Sequence, residues 1–384
     1  PSEIDLGTVF VGANGAVTEQ KPLRIVNESS ESQSVLITAS ELLGPSNTRL
    51  ASGYVSVSPD QFELAPGEAI TLNVSIVLPS SVANGDFSGS LIIMGNTQSK
   101  QVPIRFRIEA DSEKPLVRDV RPSSNSVIIG PQFLTMKVED DRAGLLLDRL
   151  DIFANGQRIP PTISYDPQTK VLTVELSDPN VLEANVPLPP GHYKIELEIP
   201  DRALNKQVVT LDIDVAEPPQ FPAGIAIFSI PFNFEDSSLS SVLANLSFPA
   251  VTWNPKGNYI TFDKVIPGQA FWAKLNNALT LEFTQRGISH PQNESFVIPL
   301  KQGWNLIGPA YLKAITWDLN GIRVRRNGSE QTLSQAQQAG WIEDYAWGWQ
   351  QDANDPFKGK YVLVYDTSVI PGVVGQLEPW KGYW

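Results

Sequence analysis

The sequence predicts a mainly β chain: two β-sandwiches followed by a β-rich region of two pseudo-repeats with short helices. Three observations predict it. The 31 prolines and 27 glycines are spread along all 384 residues, and proline breaks helix interiors because it lacks an N–H and clashes with the preceding turn. Short runs with β-branched residues at alternate positions recur between turn-forming clusters, as half-buried strands require. All nine tryptophans lie at or beyond Trp253, so the last part of the chain has a composition of its own.

Residues 1–110 form the first predicted unit. Its strands are read at Pro22–Val26, Ser34–Thr38, Ile70–Val77, Ser90–Met94 and Val102–Ile108. Strands at this spacing predict a sandwich. Four stretches occur in order: IDLGTVFVG (Ile4–Gly12), LRIVN (Leu23–Asn27), LAPGE (Leu64–Glu68) and GDFSGSL (Gly85–Leu91). With them the unit resembles the Ig-like family of major sperm protein-type and ASPM/SPD-2/Hydin-type domains. That resemblance implies a scaffold or interaction module with no catalytic residue.

Residues 111–216 form the second unit, after a polar joint at Ala110–Pro115. Asn155-Gly156 is a type I′ hairpin signal, and Asp166–Thr169 is a second turn. Strands are expected at Leu134–Val138 and Tyr193–Ile199. The run PPGHYKIELEIPDRALN (Pro189–Asn205) resembles bacterial Ig-like repeats. Leu204 stands where those repeats carry glycine, so its turn is expected to differ from theirs.

Residues 217–384 follow the proline-rich spacer Pro218–Pro222. Here the chain repeats itself, about 223–283 and 302–384. Gly224–Pro231 matches Gly303–Pro309, Lys256–Tyr259 matches Lys358–Tyr361, and Pro267–Trp272 matches Pro379–Trp384. Each copy reads as strand, short helix, then a hairpin ending in an aromatic pair. Thr332–Gln335 is a capping box that Gly340 closes. Asp236 or Ser237 is the expected cap of the equivalent helix at Leu239–Ala244. Units this small share a core. The pattern resembles the "GWNLIG … PGKGYW" repeats of bacterial surface proteins. In the first copy the strand runs on past Trp272, so a continuation beyond Trp384, or a final strand missing from the second copy, is expected.

The chemistry is sparse. Cysteine is absent and there are two histidines, His192 and His290, both read as turn or loop residues. No nucleophile elbow, P-loop, dinucleotide or zincin motif occurs, and the expectation is that the chain is not an enzyme. A net charge of −13 disfavours nucleic acid, and no apolar run approaches the ~20 residues of a membrane span. No cofactor is expected except calcium: Glu139, Asp140, Asp141 and Asp201 sit on loops that an Ig-like sandwich gathers near Asp111 and Glu113. Trp341, Tyr345, Trp347 and Trp349 are the candidate sugar- or partner-binding surface, whereas the pairs Phe271/Trp272 and Tyr383/Trp384 are expected in the core.

Together these features predict an extracellular or cell-surface scaffold or adhesion module contacting protein or polysaccharide. A carbohydrate-binding accessory region of a larger secreted hydrolase is one alternative. The other is a self-associating subunit of a filament or surface layer that pairs strands between copies.

Overall fold

The computed structural model describes residues 3–18, 20–181, 186–243 and 250–384. It is mainly β, with α-helices only at α1 (Leu239–Val242) and α2 (Leu333–Gln338) among the described residues.

In the first unit every predicted strand forms, most of them longer than predicted. Strands Ile4–Val11, Ser99–Ala110, Gly85–Met94, Gln33–Ala39 and Gln61–Leu64 follow one another across one sheet. Ala16–Val17, Ala69–Leu78 and Lys21–Val26, with Val55–Ser58 also paired to Ala69–Leu78, make the facing one. Alternation decides which side chains meet between them. Leu72, Val74 and Ile76 are wholly buried, as are Leu91, Ile104 and Ile108 on the opposing sheet.

The second unit has the sheet Leu116–Arg121, Phe133–Glu139, Val171–Glu175, Thr162–Asp166 facing a longer one. In the latter, Gly191–Pro200 pairs with Lys206–Val215 over its whole length. Asn155 and Gly156 take φ of 50° and 78°, the two positive values of a type I′ turn. Leu204 keeps a left-handed φ of 58°, the conformation a glycine adopts without strain. His192 lies within a strand rather than in a turn, because the hairpin register runs back to Gly191 opposite Val215.

The longer sheet does not stop with the second unit. Ser126–Ile129 pairs with Gly287–Ser289, which in turn pairs with Phe232–Asn233. The third region therefore adds its own strands to the edge of its neighbour's sheet.

Within that third region each copy pairs its own strands and also pairs with the other. In the first copy, Gly224–Ser229 pairs with Ala270–Leu275, which pairs with Ala250–Asn254, which pairs with Asn258–Ile260. The second copy repeats this order: Ile307 bridges Tyr383, the backbones of Trp384 and Trp347 bond reciprocally at 2.9 Å, and Ala346–Gln351 pairs with Gly359–Val364. The first strand of each copy also pairs with the last segment of the other. Phe228 bridges Lys381, and Ile307 bridges Gln269. The shared core expected for small repeats is thus built by mutual strand pairing around a pseudo-two-fold axis.

The helices occupy equivalent places. Thr332 and Gln335 form the reciprocal capping box. Gly340, at φ 68°, closes α2 through bonds from Gly340 N to Gln337 O and from Trp341 N to Ala336 O, a Schellman pattern. The cap of α1 is Ser238, not Asp236 or Ser237. Asp236 instead folds back to accept from the Ser238 N–H. Ala244 lies outside the described residues.

Gly224 shows how close the copies approach. It has φ 110°, and a Cβ there would lie 2.0 Å from the carbonyl oxygen of Pro356 in the other copy. Gly224→Ala is expected to cost about 3 kcal/mol or more. Calorimetry should show the transition of the third region moving down in temperature while that of residues 1–110 stays in place.

Candidate functional site

Two places gather the residues singled out in the sequence: the joint between the first two units, and the aromatic surface of the third region.

At the joint, Asp111 and Asp201 are buried. Asp201 accepts from the backbone N–H of Asn205 at 2.8 Å and from its side-chain amide at 3.0 Å. The Asp111 Oδ2 atom is buried with no hydrogen-bond partner, and the Arg142 guanidinium stands 3.7 Å from Oδ1. Asp140 accepts from the backbone of Arg142 and Gly144. Burial pushes the Asp201 carboxyl up to about 6, with Asp140 and Asp111 adding to it and the Asn205 bonds opposing it.

The remaining predicted ligands turn elsewhere. Glu139 is held by Lys170 and Arg118, and exposed Asp141 also faces Lys170, at 3.8 Å. Those acids line an interdomain cleft of about 810 Å³ with Tyr165, Lys170 and Arg202. Among the described residues no three acidic or histidine side chains are arranged to hold a metal ion.

In the third region six of the nine tryptophans fall in two ring groups, joined where Trp304 meets Trp384 at 6.4 Å. The first is a reciprocal clasp between the copies. Trp253 meets Trp384 with ring centroids 5.1 Å apart and planes at 78°. Trp349 meets Trp272 at 5.1 Å and 76°. Each pair carries a tyrosine from the matched Lys-Gly-x-Tyr turn: Tyr259 lies 5.1 Å from Trp253, and Tyr361 lies 5.3 Å from Trp349. Edge-to-face packing at these distances stabilises aromatic pairs by about 0.5–1.5 kcal/mol beyond burial. Burial holds the Tyr259 hydroxyl above the usual phenol range, and the neighbouring Tyr361 contributes to it.

The clasp qualifies one expectation and corrects another: Trp272 and Trp384 are partly buried against Ile227, Ala270 and Leu306. Phe271 and Tyr383 are buried, but their neighbours Trp272 and Trp384 lie on the opposite strand face and join the clasp, because successive side chains alternate. Trp349 is not a free surface ring either; its indole donates to Ile225 O at 2.8 Å. Trp341 sits at the end of α2, and among the described residues no ring contact joins it to the others.

The second set is Trp304, Tyr345 and Trp347. Tyr345 is the middle ring, 6.4 Å from Trp304 and 6.1 Å from Trp347, with planes inclined at 59° and 77°. Trp304 is 48% exposed. Each ring is positioned by its backbone. The Asn305 side chain bonds Lys301 N, Lys301 O and Gly303 O, which fixes the loop bearing Trp304. Asp344 accepts from the Trp317 indole and the Tyr365 hydroxyl, which fixes the residue before Tyr345. Trp347 is held in register by its pairing with Trp384.

The first copy lacks these rings. Ile225 matches Trp304 in the repeat, and Val251, which pairs with Trp272, occupies the place of Trp347, which pairs with Trp384. Tyr345 and Trp347 belong to the candidate surface named from the sequence, and Trp304 does not. The repeat alignment held the signal: a tryptophan in one copy where the other has an ordinary strand isoleucine.

The histidines stand apart from both places. His192 faces Asp214 at 2.9 Å on the surface. His290 packs against Phe296 and Tyr311.

No protein-family model matches the chain, and no curated protein does. Among solved structures, a PapD-like domain of human CEP192 is similar at 11% identity, over 29% of this chain and 90% of that one, with a TM-score of 0.23. Fibronectin(III)-like modules of Clostridium thermocellum CbhA match at 14% identity over 54% of this chain and 90% of theirs, TM-score 0.24. A family 123 glycoside hydrolase from Clostridium perfringens matches at 11% identity over 32% of this chain, TM-score 0.24, and the chain spans 25% of that hydrolase. These likenesses concern β-domain architecture alone.

The raised carboxyl of Asp201 has a definite consequence. A folded value above the ordinary 3.8 means stability that is present below pH 4 and lost as pH rises to about 6, on the order of 3 kcal/mol. Urea midpoints of the second unit are expected to fall between pH 4 and 7 in the wild type and to fall much less in Asp201→Asn.

Proposed function

We propose that this chain is a non-catalytic binding and scaffolding region of an extracellular or cell-surface protein, and that it makes contact through Trp304, Tyr345 and Trp347. The carrying observation is the asymmetry between the copies. The clasp rings recur in both copies, whereas Trp304, Tyr345 and Trp347 stand where the first copy has no aromatic residue; Trp304 meets the clasp ring Trp384 at 6.4 Å and is still half exposed. Large aromatic groups on a rigid frame are what binding surfaces use as anchors. The two sandwiches then serve to space and orient that surface. The lack of cysteine and the acidic charge suit an exported chain whose domains are large enough to fold without disulfides. No described helix is long and apolar enough to cross a membrane.

Fluorescently labelled chain is expected to bind intact bacterial cells saturably. The double variant Trp304→Ala/Trp347→Ala should bind at least tenfold more weakly, about 1.4 kcal/mol or more. Equal binding by the variant would remove these rings from the contact surface.

A further inference from the structure

The joint between the first two units carries a device of its own, separate from the aromatic surface. Several hydrogen bonds that cross it converge on the turn at residues 202–205. Arg202 O accepts from the Val17 N–H at 2.8 Å, and Leu204 O accepts from the Asn14 amide at 3.3 Å. Gly12 packs so closely on this turn that a Cβ there would lie 2.2 Å from Ala203 O. Asp201 shapes the turn, because its carboxyl accepts from both the backbone N–H and the side-chain amide of Asn205. The surface by which the second unit meets the first therefore depends on the state of Asp201.

Asp111 meets this turn from the side of the first unit. Its N–H donates to Val11 O at 2.9 Å, which ties it to the end of the first sheet. The Asn205 amide donates to Asp201 Oδ2 at 3.0 Å and to Asp111 O at 3.5 Å, so the two aspartates flank one side chain. Both are buried. Asp111 Oδ2 has no hydrogen-bond partner, and an unbonded buried acceptor is costly. The Arg142 guanidinium stands 3.7 Å from Oδ1 and shares itself with Glu113. The other charges around the pair are Asp140, on the loop after Phe133–Glu139, and Arg202 in the turn itself. Leu145, which bridges the Asp201 backbone, adds none. From the first unit, Phe10 lies under Arg142.

We propose that Asp111 and Asp201 hold one proton between them while the joint is closed, and that its loss frees the second unit to move against the first. A protonated carboxyl is a donor as well as an acceptor, so the proton gives Asp111 Oδ2 the partner it lacks. When solvent takes that proton, two carboxylates are left side by side in a buried site, and Asp140 adds to the repulsion. Parting the joint hydrates both. The two sandwiches have separate hydrophobic cores, so they part without breaking either one. The sign follows from proton affinity. Asp201 in the closed joint keeps its proton up to about 6, against an ordinary 3.8. Closure is fully favoured below the ordinary value and is lost as pH rises through the raised one.

The chain has no cysteine, so the full chain takes spin labels at two chosen places. Ser30→Cys in the first unit and Gln168→Cys in the second are both exposed. Pulsed electron–electron resonance then reads the distance between the units. One narrow distance is expected at about pH 4.5, and a longer, broader distribution at about pH 7.5, with the midpoint at about 6. Asp111→Asn and Asp201→Asn should each keep the narrow distance at both pH values, because an amide supplies a donor without ionising. Circular dichroism checks that each variant is folded. The unsubstituted pair decides the matter even where a variant fails to fold: the same distribution at both pH values would overturn the proposal. A transition that keeps its midpoint in folded Asp111→Asn would overturn it too, since Asp201 would then titrate alone.

Discussion

The reciprocal pairing of the two C-terminal copies is the constraint on which the rest of this structure depends. Neither copy closes its own sheet. Gly224–Ser229 needs the backbone at Trp380–Gly382 for its outer edge, and the strand at Leu306–Gly308 needs the backbone at Gly268–Ala270. Open strand edges are otherwise prone to pair with other chains, so the exchange satisfies both edges within one molecule. It also fixes where the aromatic residues go. Once each terminal strand is shared, alternation places one member of each aromatic pair in the core and the other at the pseudo-two-fold axis, where Trp253, Trp384, Trp349 and Trp272 meet. Trp304, Tyr345 and Trp347 then ride on a frame whose register is set twice.

The joint between the first two units uses a different balance. Val17 N–H donates to Arg202 O, and the Arg142 guanidinium lies over the Phe10 ring while facing Asp111. Buried carboxylates gathered with a single nearby guanidinium are costly, because charge inside a protein is stabilised only by close, well-aligned partners. Asp201 relieves part of that cost through Asn205 and part through its raised proton affinity. The joint is accordingly more stable below about pH 4 than near neutrality.

Much of this was legible in the sequence, and the misses have physical causes. Period-2 patterning located strands of the sandwiches and the Asn-Gly pair located the turn at Asn155-Gly156, because those signals are local; the repeat was legible from three matched stretches in the same order. The α2 cap at Thr332–Gln335 was readable for the same reason. Strand exchange was not, since either pairing partner satisfies the same hydrogen bonds and the sequence does not say which copy supplies it. Loop topology brings Asp140 and Asp201 towards Asp111, as the sandwich order implied, but it could not reveal that Lys170 pairs with Glu139 and Asp141. Trp349 and Trp347 share a strand face, so periodicity treats them alike; only the neighbouring copy separates the clasp ring from the one that packs on Tyr345.

That separation is the central claim, and calorimetry of Trp349→Leu and Trp347→Leu tests it most directly. The residues are two apart on one strand and receive the same substitution. The account predicts that Trp349→Leu lowers the melting of the third region by roughly 5–10 °C, while Trp347→Leu lowers it by no more than about 2 °C. Equal losses, or a larger loss at Trp347, would contradict it.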